Sequence, residues 1–224
     1  MTWFKFLAPD ATGPFSGYRW SAPDGVRDSG ERTPGQWTAA RLPLDPCRSG
    51  LHLCREADLP FWLHEELYVA DVDGPVVEYE SFVLVHRARL VRRVDAWASG
   101  SAYRFSRGCA WRVRDLAVDA LRGLDRDQDA DRLLDCSTID GLGEAARRIG
   151  RSNGIDLTGY VADAAAFAAG ARAGNGWASA AATTAFVAAT AARAAAGRGH
   201  GLAALLAERA RQARWIADMT PAVG

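Results

Sequence analysis

The composition of the chain changes near residue 110, and this change constrains the fold more than any single motif does. Before that point Trp, Tyr, Phe, Val and Pro dominate, whereas Ala, Leu, Arg and Asp dominate after it. Aromatic and β-branched residues favour strands, and Ala and Leu favour helices. We therefore predict an α+β fold, with a β-rich region (a mixed or antiparallel sheet) over residues 1–108 and an Ala-rich helical bundle over residues 109–224. Because no linker is evident, the two regions are expected to pack as one unit.

Local patterns predict the elements of the first region. The segment TWFKFLA is predicted to be a first strand, and residues 9–35, rich in Gly, Pro, Asp and Ser, are predicted to form a long loop with one short strand at SGYRW. The segment ELYVADVDG alternates and ends in Asp73-Gly74, which predicts a strand followed by a turn. Residues 81–97 form the longest strand candidate.

The last third of the chain is predicted to be three Ala-rich helices. Two groups of glycines, at residues 170–176 and 197–201, divide it, and short turns between helices are typical of an antiparallel bundle. Because each buried alanine contributes little transfer free energy, large apolar side chains such as Phe186, Leu202 and Ile216 are expected to stabilise the bundle. Pairing of these helices within one chain or between two stays open, so a homo-oligomer through them is one alternative.

The charge of the chain argues against a nucleic-acid or membrane partner. Lys+Arg and Asp+Glu both number 27, so the formal net charge is zero and no global field attracts a polyanion. Lys5 is the only lysine, and the Arg, Ala and Gly content is typical of the high-GC coding of actinobacteria. The N-terminus lacks the pattern of a signal peptide and no apolar run has the length of a membrane span, which predicts a cytoplasmic protein with reduced thiols.

The segment PCRSGLHLC (residues 46–54) concentrates two of the four cysteines and one of the four histidines. If SGLHLC is a strand, the two-residue period places His52 and Cys54 on one face and leaves Cys47 on the preceding loop. A buried thiol beside a hydrogen-bonded histidine is one interpretation, since free cysteine is among the most buried residue types.

Two chemical interpretations of the same segment stay open. The spacing C-x4-H-x-C is not a standard zinc spacing and lacks a fourth ligand, so no metal ligands are assigned. A catalytic Cys54–His52 pair would need a lowered thiol pKa and a group that orients the histidine. Carboxylates that could orient it follow at Asp58, Glu65 and Glu66.

Acidic and basic residues elsewhere form a second pattern. Arg19 lies in the long loop, and the segment EYE places Glu78 and Glu80 on one face of an extended stretch. An arginine followed by Glu-x-Glu resembles the mono-ADP-ribosyltransferases, and this resemblance implies that Arg19 grips a nicotinamide dinucleotide while Glu80 stabilises the reacting ribose. The Ser-Thr-Ser strand of that family is missing here, and a solvated strand face is the alternative.

Aromatic residues suggest a binding surface in the N-terminal region, where Phe15, Tyr18, Trp20, Trp37, Phe61 and Trp62 lie in loop-like segments. We predict an intracellular binding or accessory protein for a small molecule or a protein partner, with Arg19, Trp20, Trp62, Glu78 and Glu80 as ligand-binding residues. The alternative is an enzyme that acts on a small molecule or nucleotide through His52 and Cys54. No motif identifies a cofactor: the Walker, dinucleotide, zincin and nucleophile-elbow patterns are all missing.

An ordered set of segments resembles a domain of unknown function found in actinobacterial and phage proteins. The set comprises FKFL, GPFSGYRW, CRSGLHLC, LPFWL and ELYVADVDG, with Gly50-x-His52-x-Cys54 as its most specific part, and covers roughly residues 3–95. The helical half resembles no family beyond its closing ERARQARWIA. The resemblance implies no activity, but it draws attention to the segment around His52.

Overall fold

A computed structural model describes residues 2–26, 32–46, 48–153, 156–172, 174 and 176–220. The chain divides into two compact units, Met1–Ala98 with Ile216–Gly224 and Ser99–Trp215. The first contains an antiparallel sheet and the second contains helices, so the predicted α+β class is confirmed. The helical part begins at Ser99, before the boundary that composition indicates, because the first turns of its first helix carry aromatic and polar residues.

Seven β-strands occur in the described residues. They are β1 (Trp3–Leu7), β2 (Asp24–Val26), β3 (Arg32–Thr33), β4 (Thr38–Ala39), β5 (Leu51–Leu53), β6 (Glu66–Glu78) and β7 (Val83–Arg93). The main sheet has the order β1-β6-β7-β4, and β5 pairs with β7 beside β4, whereas β2 and β3 form a separate pair. All of these pairings are antiparallel.

The predicted turn at Asp73-Gly74 is wrong. The strand β6 continues through Gly74, whose φ of 93° accompanies a register shift between Asp73 and Val76. Such a bulge uses the positive φ that glycine tolerates and increases the local twist. The hairpin turns instead at residues 79–82, where the Tyr79 N–H donates to the Phe82 carbonyl over 2.9 Å.

The two edges of the sheet meet through a single bridge. The backbone groups of Phe4 in β1 and of Cys54, directly after β5, exchange two hydrogen bonds of 2.9 Å. Because β1 also pairs with β6 and β5 with β7, the bridge closes a ring of strands. A buried hydrophobic cluster packs among these strands, and it contains Leu7, Trp20, Leu53, Tyr68, Val83, Val85, Ala88 and Leu90.

Six α-helices occur in the described residues, α1 (Ser99–Arg122), α2 (Asp127–Leu134), α3 (Ile139–Asn153), α4 (Asp156–Ala171), α5 (Trp177–Ala195) and α6 (Gly197–Met219). The bundle core is lined by alanines of α4 and α5, among them Ala164, Ala168, Ala181, Ala185 and Ala188. Phe186 and Leu202 do not stabilise the core as predicted, because they are 62% and 66% exposed, whereas Ile216 is buried but belongs to the first unit. No described helix is long and apolar enough to cross a membrane.

Candidate functional site

The segment of residues 8–20 is a compact hairpin. Ala8 and Thr12 form a bridge, Thr12 also pairs with Arg19, and the Trp20 N–H donates to the Ala11 carbonyl over 2.9 Å. At the tip, the Gly13 N–H donates to the Tyr18 carbonyl over 2.8 Å. Phe15 lies at this tip and is 87% exposed, so the hydrogen-bonded backbone presents a large apolar ring to solvent.

A buried carboxylate holds the base of this hairpin. Glu66 accepts hydrogen bonds of 2.9 Å from the Ala11 N–H and from the Tyr68 hydroxyl, and its other oxygen lies 3.1 Å from an Arg93 guanidinium nitrogen. Asp10 and Ala11 have positive φ angles of 60° and 54°, which non-glycine residues rarely adopt. The bond to Glu66 therefore helps to fix a backbone conformation that is otherwise disfavoured.

Five ring side chains join into one group, which we call the aromatic surface: Phe15, His52, Trp62, Tyr79 and Phe82. Phe15 meets Trp62 edge-to-face at 6.4 Å, and Trp62 meets Phe82 in the same way at 5.9 Å between centroids. Phe82 stacks on Tyr79 at 4.6 Å and lies 5.0 Å from the His52 ring. The Trp62 indole donates to the Ser81 carbonyl over 2.6 Å, so the β6–β7 turn fixes the central ring.

Arg55 fixes the same turn from its other side. Its guanidinium donates to both carboxylate oxygens of Asp58 (2.7 and 3.1 Å), to Glu78 (2.9 Å) and to the Tyr79 carbonyl (2.8 Å). The hydrogen bond to Asp58 is the main cause that raises the pKa of Arg55. Arg55 was not among the residues predicted from the sequence, although the spacing Arg55-x-x-Asp58 is a signal for a local ion pair.

The two residues predicted to be catalytic differ in accessibility. Cys54 is 3% exposed, and its thiol donates to the Phe4 carbonyl at 3.3 Å. Burial raises the pKa of Cys54 to about 12, so the thiol is neutral near pH 7. His52 is half-buried against Phe82, and burial lowers its pKa, with the nearby Lys5 charge as a second cause. The cavity that both residues line measures only about 20 Å³, which leaves room for about one water molecule.

Lys5 reaches this cavity from β1. Its ammonium donates to the His52 carbonyl over 2.7 Å and lies 5.7 Å from the Trp20 ring centroid. Burial lowers the pKa of Lys5 to about 8, and the neighbouring Cys54 opposes the shift. The amine therefore acts as a hydrogen-bond donor between β1 and β5, beside a thiol that keeps its proton.

We expect Cys54 to resist alkylation in the folded protein. A pKa raised to about 12 reduces the reactive thiolate by about a thousandfold relative to an ordinary thiol. Iodoacetamide at pH 8 should label Cys54 about a thousandfold more slowly in native protein than in urea-unfolded chain. Mass spectrometry of the tryptic peptide 49–55 measures this residue without Cys47, and the partly exposed Cys136 is the internal control. Equal rates in the two states would restore the nucleophile hypothesis.

The glycine of the Gly50-x-His52-x-Cys54 motif has a structural explanation. Gly50 has a φ of 140°, and a Cβ atom built there would lie 2.5 Å from the side chain of the fully buried Leu84. Glycine lets β5 enter the sheet directly over this leucine. Cys47 lies outside the described residues, and those residues contain no group of three or more His, Cys, Asp or Glu side chains that could hold a metal.

The predicted ligand-binding residues fall into two places. Trp62 belongs to the aromatic surface, Glu78 pairs with Arg55 beside it, and the Glu80 carbonyl accepts from Arg55 over 3.2 Å. Arg19 and the buried Trp20 instead line a cavity of about 330 Å³, whose other walls include Asp10, Asp24 and Tyr68. Glu78 and Glu80 do not line that cavity, so the dinucleotide grip implied by the transferase resemblance gains no support from this arrangement.

No protein-family model matches the chain, and searches of curated proteins and of solved structures return no match. The resemblance of residues 3–95 to a domain of unknown function stays a prediction. The aromatic surface, which the hairpin and the β6–β7 turn hold in place, is the best-defined candidate site among the described residues.

Proposed function

We propose that this chain is a binding protein, and that its aromatic surface receives a peptide segment of a protein partner with apolar side chains beside Arg or Lys. The observation that carries the proposal is Phe15, which is 87% exposed at the tip of a hydrogen-bonded hairpin and contacts Trp62. An isolated exposed ring is ordinary, but one that continues into a fixed group of rings is typical of an interaction site.

The rim of the aromatic surface favours a basic partner. Glu56, Glu78 and Glu80 are exposed on the segments that carry Trp62 and Tyr79. The Arg55 guanidinium among them is already bonded to Asp58 and Glu78. Carboxylates around an apolar centre attract Arg or Lys side chains and repel acidic segments, so the rim supplies selectivity.

The rings are held in place before any partner arrives. Glu66 bonds the base of the hairpin, Arg55 and Trp62 bond the β6–β7 turn, and aromatic side chains have few rotatable bonds. Preorganisation of this kind lowers the entropy cost of binding. By contrast, a buried neutral Cys54 thiol does not suit nucleophilic catalysis.

We place the protein in the cytoplasm, where a partner with an exposed apolar segment would meet it. The free thiols of Cys54, Cys109 and Cys136 support this location, because thiols stay reduced in the cytoplasm. With a formal net charge of zero, a nucleic acid is not the expected partner.

Selection of displayed random peptides on the wild-type protein tests the proposal. We expect enriched peptides to combine Phe, Trp, Leu or Tyr with Arg or Lys, and to bind by fluorescence anisotropy. Because aromatic residues contribute most of the binding energy at such interfaces, Phe15→Ala should weaken the selected peptides at least about tenfold. Glu78→Gln should weaken them by a smaller factor that shrinks further at high salt.

Phe186→Ala is the matched control, since Phe186 is also an exposed phenylalanine, 62% accessible, but lies on α5. It should leave peptide affinity unchanged. Enriched peptides that bind Phe15→Ala as tightly as wild type, or that are acidic, would contradict the proposal. Concentration-dependent dimers that disappear in Phe15→Ala would make a second copy of this chain the occupant instead.

A further inference from the structure

A third cavity lies within the helical unit, where α6 stands beside α1 and α5. It measures about 500 Å³, within the range of small-molecule sites. Leu116 and a set of alanines form its apolar walls: Ala120, Ala192, Ala195, Ala196, Ala204 and Ala207. Small side chains on all three helices leave this space open, because none of them reaches across it.

A charged group closes one end of this cavity. Glu208 is only 2% exposed and yet lines the cavity, and burial raises its pKa. The Nε atoms of Arg112 and Arg211 each lie 3.4 Å from one oxygen of this carboxylate. Gln212, itself buried, donates to the other oxygen at 3.5 Å and to the Ala185 carbonyl at 3.0 Å, which ties the group to α5.

The two guanidiniums of Arg112 and Arg211 have more N–H donors than the Glu208 carboxylate can accept. The two guanidiniums carry five N–H donors each, and strong charge-assisted bonds are shorter, about 2.7–2.9 Å, than the 3.4 Å contacts found here. Two arginines and one glutamate leave this end with a net positive charge. Asp119 lines the cavity seven residues beyond Arg112, about 10 Å further along α1, and leaves the opposite end acidic.

We propose that this cavity binds an organic anion with an elongated apolar body. The anionic head lies against Arg112 and Arg211, and the body extends along the alanine walls towards Asp119. Glu208 competes with the head for the two guanidiniums and so limits the affinity. This site is separate from the aromatic surface, and its ligand does not depend on the peptide partner.

Calorimetric titration with three ten-carbon probes tests the class of ligand, with each probe kept below its micellar concentration. Decanoate supplies the anionic head, decanol a neutral head and decylammonium a cationic head on the same apolar chain. We expect decanoate to bind with one site per chain and at least about tenfold more tightly than decanol, as for one charge-assisted contact. Tighter binding of decylammonium than of decanoate would overturn the proposal.

Two charge variants have opposite expected effects. Arg211→Gln removes one guanidinium and should weaken decanoate about tenfold, whereas Glu208→Gln removes the competing carboxylate and should tighten it by a similar factor. A merely structural role of Glu208 predicts no gain in affinity. Loss of decanoate binding in Glu208→Gln, with the helix content of wild type by circular dichroism, would contradict the assigned role of the carboxylate.

A variant that fills the cavity provides the third test of the proposal. Ala204→Trp places a large ring into the cavity and should abolish decanoate binding, whereas Ala203→Trp, at the exposed neighbouring position outside the lining, should not. Phe15→Ala should also bind decanoate like wild type. Equal binding by Ala204→Trp and wild type, or a loss confined to Phe15→Ala, would move the site away from this cavity.

Discussion

Replacement of Glu66 by alanine should lower the free energy of unfolding by about 3 kcal/mol. The Glu66 residue is 7% exposed, and its carboxylate accepts hydrogen bonds from the Ala11 N–H and the Tyr68 hydroxyl. Its removal leaves both donors buried without this acceptor, and buried groups that lose a charged partner are expensive. Arg93 contributes less, since its side chain is 43% exposed and can return to water. Urea denaturation at pH 7 measures the change.

Glu78→Ala is the matched control for this prediction. Glu78 also pairs with an arginine, at 2.9 Å, but its side chain is 61% exposed, so its loss should cost less than about 1 kcal/mol. Glu66→Ala should in addition weaken the peptides selected on the aromatic surface, because the hairpin that carries Phe15 loses its anchor. If both variants cost the same, Glu66 does not hold the hairpin base.

Replacement of Lys5 by methionine should stabilise the protein at pH 7. Burial lowers the pKa of Lys5 to about 8 from an ordinary value of 10.5, so the folded state holds the charged amine at a cost of about 3 kcal/mol. Methionine removes this cost. It also removes the donor to the His52 carbonyl, and this loss lowers the free energy of unfolding by about 1 kcal/mol. The expected net gain is about 2 kcal/mol.

The sign of the pH dependence distinguishes this explanation from simple repacking. Between pH 8 and 10.5 the folded state releases the Lys5 proton while the unfolded chain keeps it, so the stability of wild type rises relative to Lys5→Met. The advantage of Lys5→Met should therefore be largest at pH 7 and gone near pH 10. Ionisation of unfolded cysteines affects both proteins and cancels in the difference. A constant difference from pH 7 to pH 10 would contradict the explanation.

Lys5 is the only lysine of the chain, and its buried position sets its chemistry apart from that of the arginines. Basic residues in this chain are otherwise arginines, and a guanidinium keeps its charge at any accessible pH, whereas a buried lysine can lose its proton. No local pattern in the sequence places this amine beside Cys54, because the two residues are brought together by the bridge from Phe4.

The candidate site was predictable in part. Two of the aromatic residues that the sequence places in loop segments, Phe15 and Trp62, are in contact, and the binding role of the surface stays a prediction. Trp20 is buried and forms a cavity wall with Arg19, away from the contacts of Glu78. Phe82 and Tyr79 were missed because they were assigned to extended strand, whereas the true turn at residues 79–82 places Phe82 against Trp62 and stacks Tyr79 on Phe82.

The order of strands followed by helices was determined by the sequence alone, because alternation and helix propensity act over a few neighbouring residues. The tertiary structure decided where each element stops and which face is buried. Gly74 became a bulge because β7 pairs with β6 on both sides of it, from Tyr68 to Glu78. Alanines rather than Phe186 and Leu202 form the helical core because small side chains let helices approach closely. The bridge between Phe4 and Cys54 and the contact between Phe15 and Trp62 join residues about fifty positions apart. Such contacts depend on the closure of the whole sheet, which no local pattern encodes.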